Sequence, residues 1–255
     1  MNGSKDDEEK HHSCGVWMMC AKINHSCLSN ARRSFIGDLQ IVRATSDIPA
    51  NTEVTFWYSH PTGDYNEMKK KLEHWGFQCD CAICLDLKNT PKKLSQKRKD
   101  LFGDLKATLS AAIVDTAKAE RLLDAAGQTY KRPPTEIARL ALQDSYAYLI
   151  SIYRKQGNGI KVAAMIHKRL EAFGFVLKGS QLQAPSDAAF RIERWGIMDD
   201  DVARMLVELG NTYFAYAPHL VLQSVHFSRL AYRICVGEDE TFEESYDPTG
   251  LELGN

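Results

Sequence analysis

Between residues 15 and 60 the apolar side chains come in short runs or alternate with polar ones. Val16-Trp17-Met18-Met19 is one run, and Phe35 to Ala44 reads as two strand-like pieces around a turn at Gly37-Asp38. Val54, Phe56 and Tyr58 then alternate with Glu53, Thr55 and Trp57. A period of two marks extended chain, so this stretch is expected to be β-rich. Met68, Leu72 and Trp75 fall at helical spacing, and Gly76 is placed to end that helix, because glycine takes a left-handed cap without steric cost.

Beyond about Lys92 the period becomes helical and stays so. Leu101, Leu105 and Leu109 share one face, as do Ile137, Leu140, Ala141, Tyr148 and Ile152, and again Val202, Leu206, Leu209 and Tyr213. Pro133-Pro134 and Gly157-Asn158-Gly159 punctuate these stretches. Residues 138–173 and 202–236 each read as a helix, a short break and a second helix, in the manner of tetratricopeptide-type pairs. An irregular segment from Lys178 to about Ile197 interrupts the period, so the repeat is degenerate. The fold class is therefore α+β: a β-rich part over residues 14–88, then an all-α stack of helical hairpins over residues 92–237. Residues 1–13, with Asp6, Asp7, Glu8 and Glu9 in a row, are too polar to offset their own ordering entropy and are expected to form a disordered acidic tail. Residues 238–255 are read as a C-terminal tail.

Composition narrows the class only a little. With 255 residues, 44% hydrophobic and 25% charged, the chain can bury one substantial core or two modest ones. No apolar run approaches the roughly 20 residues that span a bilayer, and the polar start argues against a signal peptide, so a nuclear or cytoplasmic location is expected and a membrane is not. A net charge of -1 provides no global field for nucleic acid. The basic run Lys88, Lys92, Lys93, Lys97, Arg98 and Lys99 lacks interleaved aromatics for base stacking and reads as a solvated linker and helix start.

The cysteines carry more. Cys79, Cys81 and Cys84 form a C-x-C-x-x-C cluster, and the count of seven is odd. Three thiols in six residues are poor material for disulfides but supply three corners of a zinc tetrahedron, with Cys27 as the natural fourth. The competing reading is a set of buried, reduced thiols. Cys20 and Cys235 read as small core hydrophobes, and His11, His12 and Cys14 resemble a second metal set but lie at the edge of the disordered tail, which argues against one.

Three segments in order resemble the C-terminal half of a SET domain with its post-SET zinc motif: Asn24-His25-Ser26-Cys27-Leu28-Ser29-Asn30, residues 47–58 ending in Phe56-Trp57-Tyr58, and Trp75-Gly76-Phe77-Gln78-Cys79-Asp80-Cys81-Ala82-Ile83-Cys84. With the helical extension the chain is most similar to fungal SET proteins with tetratricopeptide-like repeats and to the SET and MYND class. The resemblance implies a protein-lysine methyltransferase using S-adenosylmethionine, with a protein substrate. It implies Tyr58 as the catalytic channel tyrosine, Asn24, His25 and Phe77 as cofactor contacts, and Cys27, Cys79, Cys81 and Cys84 as ligands of a structural zinc. Read on residues alone, Tyr58 is strand-end packing and Phe77 a core plug.

The same resemblance expects a glycine-rich strand region ahead of Asn24, and no G-x-G pattern precedes it. The chain is thus read as lacking the N-terminal half of the domain. Ser29 and Asn51 stand where proline and glycine are usual. A catalytically silent zinc and helical-repeat module that binds a partner peptide is the alternative function.

Overall fold

The computed structural model describes residues 15–185 and 189–246. The expectations for the acidic tail and for His11, His12 and Cys14 lie outside those residues, as does the chain beyond Tyr246. The fold is α+β, with the β-structure confined to short pieces. Strand β1 (Asn24–His25) runs parallel to β4 (Thr55–Phe56), and β2 (Ala31–Ile36) pairs antiparallel with β3 (Leu39–Ala44). The hairpin turns at Gly37-Asp38 as the pattern predicts, with Ile36 opposite Leu39. The alternation over residues 53–58 overstates β4, which keeps only two residues: Trp57 turns into the core and Tyr58 leaves the ladder. Asn51 takes φ 63, a left-handed turn that asparagine tolerates.

Helix α1 (Tyr65–Leu72) starts on Asp64, whose carboxylate accepts from the Glu67 N–H, and a further 3-10 turn ends at Gly76 with φ 74. Helix α2 (Ala82–Asn89) follows the cysteine cluster directly. Next come three antiparallel pairs: α3 (Lys92–Leu109) on α4 (Thr116–Gly127), α5 (Gln143–Lys155) on α6 (Gly159–Ala172), and α7 (Asp201–Tyr216) on α8 (Val221–Val236). The last two pairs match the helix-break-helix stretches read from periodicity. The α5–α6 turn contains Gly157 at φ 65, where a β-carbon would be strained.

Three local readings change. Residues 178–197 are not irregular throughout: β5 (Val176–Lys178) and β6 (Arg191–Arg194) form a small antiparallel ladder with one register shift. The basic run is not wholly solvated, since Arg98 is buried. Its guanidinium stacks 3.6 Å from the Tyr130 ring and donates to Thr129 Oγ1 at 2.8 Å and to the Thr129 carbonyl. Packed chain also runs past residue 237, because α9 (Phe242–Ser245) buries Phe242 against Tyr232 and Tyr246. The aromatic spacing in this segment was the available signal, and its acidic surroundings masked it.

One core runs through all three helical pairs and reaches into the β-rich part through Trp57 and Ile83. A smaller cluster of Cys27, Met68, Leu72 and Cys84 adjoins it through Cys81 and the Trp57 indole. Gly63 marks how tightly the halves meet: a β-carbon there would stand 2.3 Å from the Ala141 backbone nitrogen.

Candidate metal centre and the tyrosine beside it

Four sulfurs converge where the loop after β1 meets the start of α2. The Cys27, Cys79, Cys81 and Cys84 Sγ atoms all lie within 4.8 Å of one another, and all four thiols are free of disulfides. Cys27 Sγ stands 3.8 Å from Cys79 and 3.6 Å from Cys84. Sulfurs bound at about 2.3 Å in a regular tetrahedron stand about 3.8 Å apart. The cluster therefore fits a zinc ion in spacing, ligand type and number. Cys27 and Cys84 are buried, and the other two are half-buried, so such a site is closed to solvent on one side.

Charge on the bare sulfurs is shared unevenly. Hydrogen bonding from Cys27 holds the Cys79 thiol far below the ordinary range and the Cys81 thiol at about 6. The same contacts with Cys79, Cys81 and Cys84 push the Cys27 thiol up. Four sulfurs this close cannot all ionise unless a cation sits among them.

Local structure explains the convergence. The parallel bridge of Asn24 to Thr55 and His25 to Phe56 fixes the chain entering Cys27. Asn30 ties the loop's other end, donating to the Glu53 carbonyl at 2.8 Å and accepting from Thr55 N–H at 2.9 Å. The Trp57 indole N–H donates to the Cys27 carbonyl at 3.2 Å. From the other side, the turn at Gly76 aims Phe77 and Cys79 back toward the loop.

Tyr58 stands next to this knot. Its N–H donates to His25 Nδ1 at 3.0 Å, and its hydroxyl donates to the Ile23 carbonyl at 2.9 Å. Its ring lies 5.5 Å from His25, 5.3 Å from Trp75 and 6.0 Å from Phe77. His25 and Phe77 are also neighbours, at 5.9 Å. Asn24 is exposed, and its side-chain amide donates to Glu53 Oε1 at 2.6 Å. So the four metal positions come together, and Tyr58, His25 and Phe77 form one aromatic cluster beside them. A cleft of about 420 Å³ opens on the outer side of Tyr58, lined by Trp17, Phe35, Phe56 and Trp75. Cys20 lines this cleft instead of entering a core. Cys235 is half-buried, with its thiol directed at the Asp199 carbonyl and pushed up to about 12 by burial.

Sequence reading missed the polar clamp that joins this site to the helices. His60 Nε2 donates to Asp199 Oδ2 at 2.7 Å, Arg32 pairs with Asp200 while its guanidinium covers the Trp57 ring at 4.6 Å, and Arg43 donates to the Gly237 carbonyl. The partners lie 139 and more residues apart, so no local pattern announces them. The Asp199 hydrogen bond raises the His60 pKa above its ordinary value of about 6.5. Burial works to raise the Asp199 carboxyl, and the His60 bond, the Asp201 N–H and Arg169 outweigh it and hold it low. In the window between the unfolded and folded His60 values, the native state binds more protons. The stabilisation is therefore complete below about pH 6.5 and is lost as the pH rises through the folded value. Urea unfolding at pH 5.5 and pH 8 should show that loss in the parent, and His60→Gln should flatten it. Equal slopes in both proteins would remove the clamp.

Residues 4–59 match the SET domain family model. A protein of Gibberella zeae named methyltransferase is 38% identical over 244 residues, 94% of this chain and 34% of that protein. N-lysine methyltransferase SMYD2-B of Xenopus laevis is 32% identical over 97 residues, 37% of this chain and 22% of its own length. Histone-lysine N-methyltransferase set5 of Schizosaccharomyces pombe is 30% identical over 113 residues, 43% of this chain and 35% of its own. The chain thus spans about a third or less of these relatives. Among the described residues, no helix is long and apolar enough to cross a membrane.

Proposed function

The N-terminal part of this chain belongs to the SET-domain family, and on that premise we propose that it forms the Tyr58-bearing half of an S-adenosylmethionine-dependent protein-lysine methyltransferase. The observation that carries the reading is the packing of Tyr58, His25 and Phe77 into one aromatic cluster directly against the four-sulfur knot. S-adenosylmethionine supplies a methyl group activated on a sulfonium sulfur. Asn24, one of whose amide hydrogens goes to Glu53, offers its side chain to the cofactor, His25 offers mainly its backbone near the adenine, and Phe77 offers ring surface to the adenosine. Cys27, Cys79, Cys81 and Cys84 hold a structural zinc, which fixes Phe77 and the loop after Asn24 in one place.

The amine that receives the methyl must first be neutral. Lowering a lysine from about 10.4 to pH 7 costs roughly 4.6 kcal/mol, and a direct displacement then needs alignment more than covalent help. Tyr58 supplies a hydroxyl whose direction is set by its own N–H on His25 and by Trp75 against its ring. The helical pairs, read as degenerate tetratricopeptide-like repeats with a post-SET loop before them, present the protein substrate, and the location that suits this role is nuclear or cytoplasmic.

A second reading has its own support. The Tyr58 hydroxyl is engaged by the Ile23 carbonyl and the adjoining cleft is open, as suits a silent zinc and helical-repeat module that binds a partner peptide. Calorimetric titration with S-adenosylmethionine separates the two: micromolar binding supports the methyltransferase reading, and metal content without cofactor binding supports the module. In a form that transfers methyl groups, Tyr58→Phe should slow transfer by about a hundredfold or more, the lower end for one positioned catalytic side chain, while cofactor affinity holds. A variant as fast as its parent would refute the role.

A further inference from the structure

The function proposed above uses mainly the backbone of His25, and the imidazole has two partners of its own. The Tyr58 N–H donates to Nδ1 at 3.0 Å, and Nε2 stands 3.4 Å from Cys27 Sγ. A backbone N–H can only donate, so Nδ1 carries no proton. The ring is then the neutral tautomer with its hydrogen on Nε2, and that hydrogen meets the Cys27 sulfur.

Both ends of this bridge lie where a partner is needed. Tyr58 is two residues past Phe56, the end of β4, and its N–H goes to the ring instead of to a strand. Cys27 is 1% exposed, so water does not supply a donor to its sulfur. Four thiolates around a divalent ion leave a surplus of negative charge, which an N–H placed on one of them spreads. Among the described residues, His25 is the one side chain from outside the four-cysteine group that hydrogen-bonds to Sγ of Cys27, Cys79 or Cys84. Strand β1 aims it there: the parallel bridge of His25 to Phe56 brings Tyr58 alongside, and Cys27 follows two residues after His25.

We propose that the His25 imidazole is a positioning link between the metal centre and Tyr58, donating from Nε2 to the Cys27 thiolate and accepting the Tyr58 N–H at Nδ1. The link rests on the reading of the four cysteines as a zinc site and does not depend on methyl transfer. Through it the metal orients the tyrosine as well as Phe77. A Cys27 released from the metal is free to turn away, Nε2 then loses its acceptor, and the ring no longer holds the Tyr58 backbone in one place.

Two substitutions divide the ring between them. The asparagine amide falls where Nδ1 stands, and its oxygen still accepts from Tyr58; the glutamine amide reaches where Nε2 stands and still donates to Cys27. His25→Asn should therefore bind zinc about tenfold to a hundredfold more weakly, the usual cost of losing a group that orients a metal ligand, with Tyr58 amide exchange kept at the parent's rate. His25→Gln should keep the parent's zinc affinity while the Tyr58 amide exchanges about fivefold or more faster, as the loss of one hydrogen bond allows. Competition with a chromophoric chelator reads the affinity, and NMR reads the exchange. Should either variant fail to fold, nitrogen-15 NMR of the zinc-loaded parent decides, with His25 Nε2 bonded to hydrogen and Nδ1 bare. A zinc-binding parent whose variants change both readouts together, or neither, would overturn the link and leave the metal assignment standing, as would a His25 proton found on Nδ1. A parent that binds no zinc would overturn both.

Discussion

Replacing Cys27 by serine should strip the protein of zinc and bring its melting temperature down by well over 10 °C. Closed thiolate sites contribute on the order of 10 kcal/mol to folding, which is comparable with the whole stability of an ordinary domain. Cys27 is the ligand that the later three cannot replace, because it is carried by the loop after β1 and lies 52 residues before Cys79. Losing it would free the Gly76–Cys84 turn from the parallel bridge of β1 and β4. Cys20→Ser is the control: that thiol lies outside the four-sulfur group and should leave metal content and melting unchanged. Metal analysis and thermal unfolding of the two variants decide the matter, and a Cys27→Ser protein that still carries one zinc would refute the assignment.

Trp57→Ala should destabilise the protein by about 3–5 kcal/mol, the range for removing a large buried aromatic ring, and lower the melting point by about 10 °C at this chain length. The effect should reach the metal as well. Trp57 is 6% exposed, belongs to the core shared with the helices, carries Arg32 on one face and His60 at its edge, and holds the Cys27 carbonyl with its N–H. Without the indole, the loop bearing the first ligand loses its hold on the helical half, so a competing chelator should remove zinc faster. Trp75→Ala, with a ring 42% exposed, should cost far less. Should both variants melt together and release zinc at the parent's rate, Trp57 is not the joint between the two halves.

The legible parts of this molecule are those where a local pattern does the folding. The β2–β3 hairpin was visible in alternation around Gly37-Asp38, the end of the 3-10 turn that follows α1 in Gly76, and the α5–α6 and α7–α8 pairs in their 3.6-residue stripes. The sulfur knot was readable because three of its members sit within six residues, and their ligand chemistry calls for a fourth. What stayed hidden depends on contacts across the chain. Trp57 alternates like a strand residue, yet it belongs to the helical core. Arg98 looks like one more solvated base until Tyr130 covers it. His60 and Asp199 carry no motif at all. Val16 to Met19 reads as an apolar run, and only the structure puts three of its four side chains on the surface. These are long-range choices, set by which faces the two halves turn toward each other.

Zinc K-edge X-ray absorption on the purified chain tests the central claim most directly. The expected result is one zinc per chain, with four sulfur neighbours at about 2.3 Å and no bound nitrogen or oxygen. A protein without stoichiometric zinc, or a shell in which light atoms replace one or more sulfurs, would contradict it.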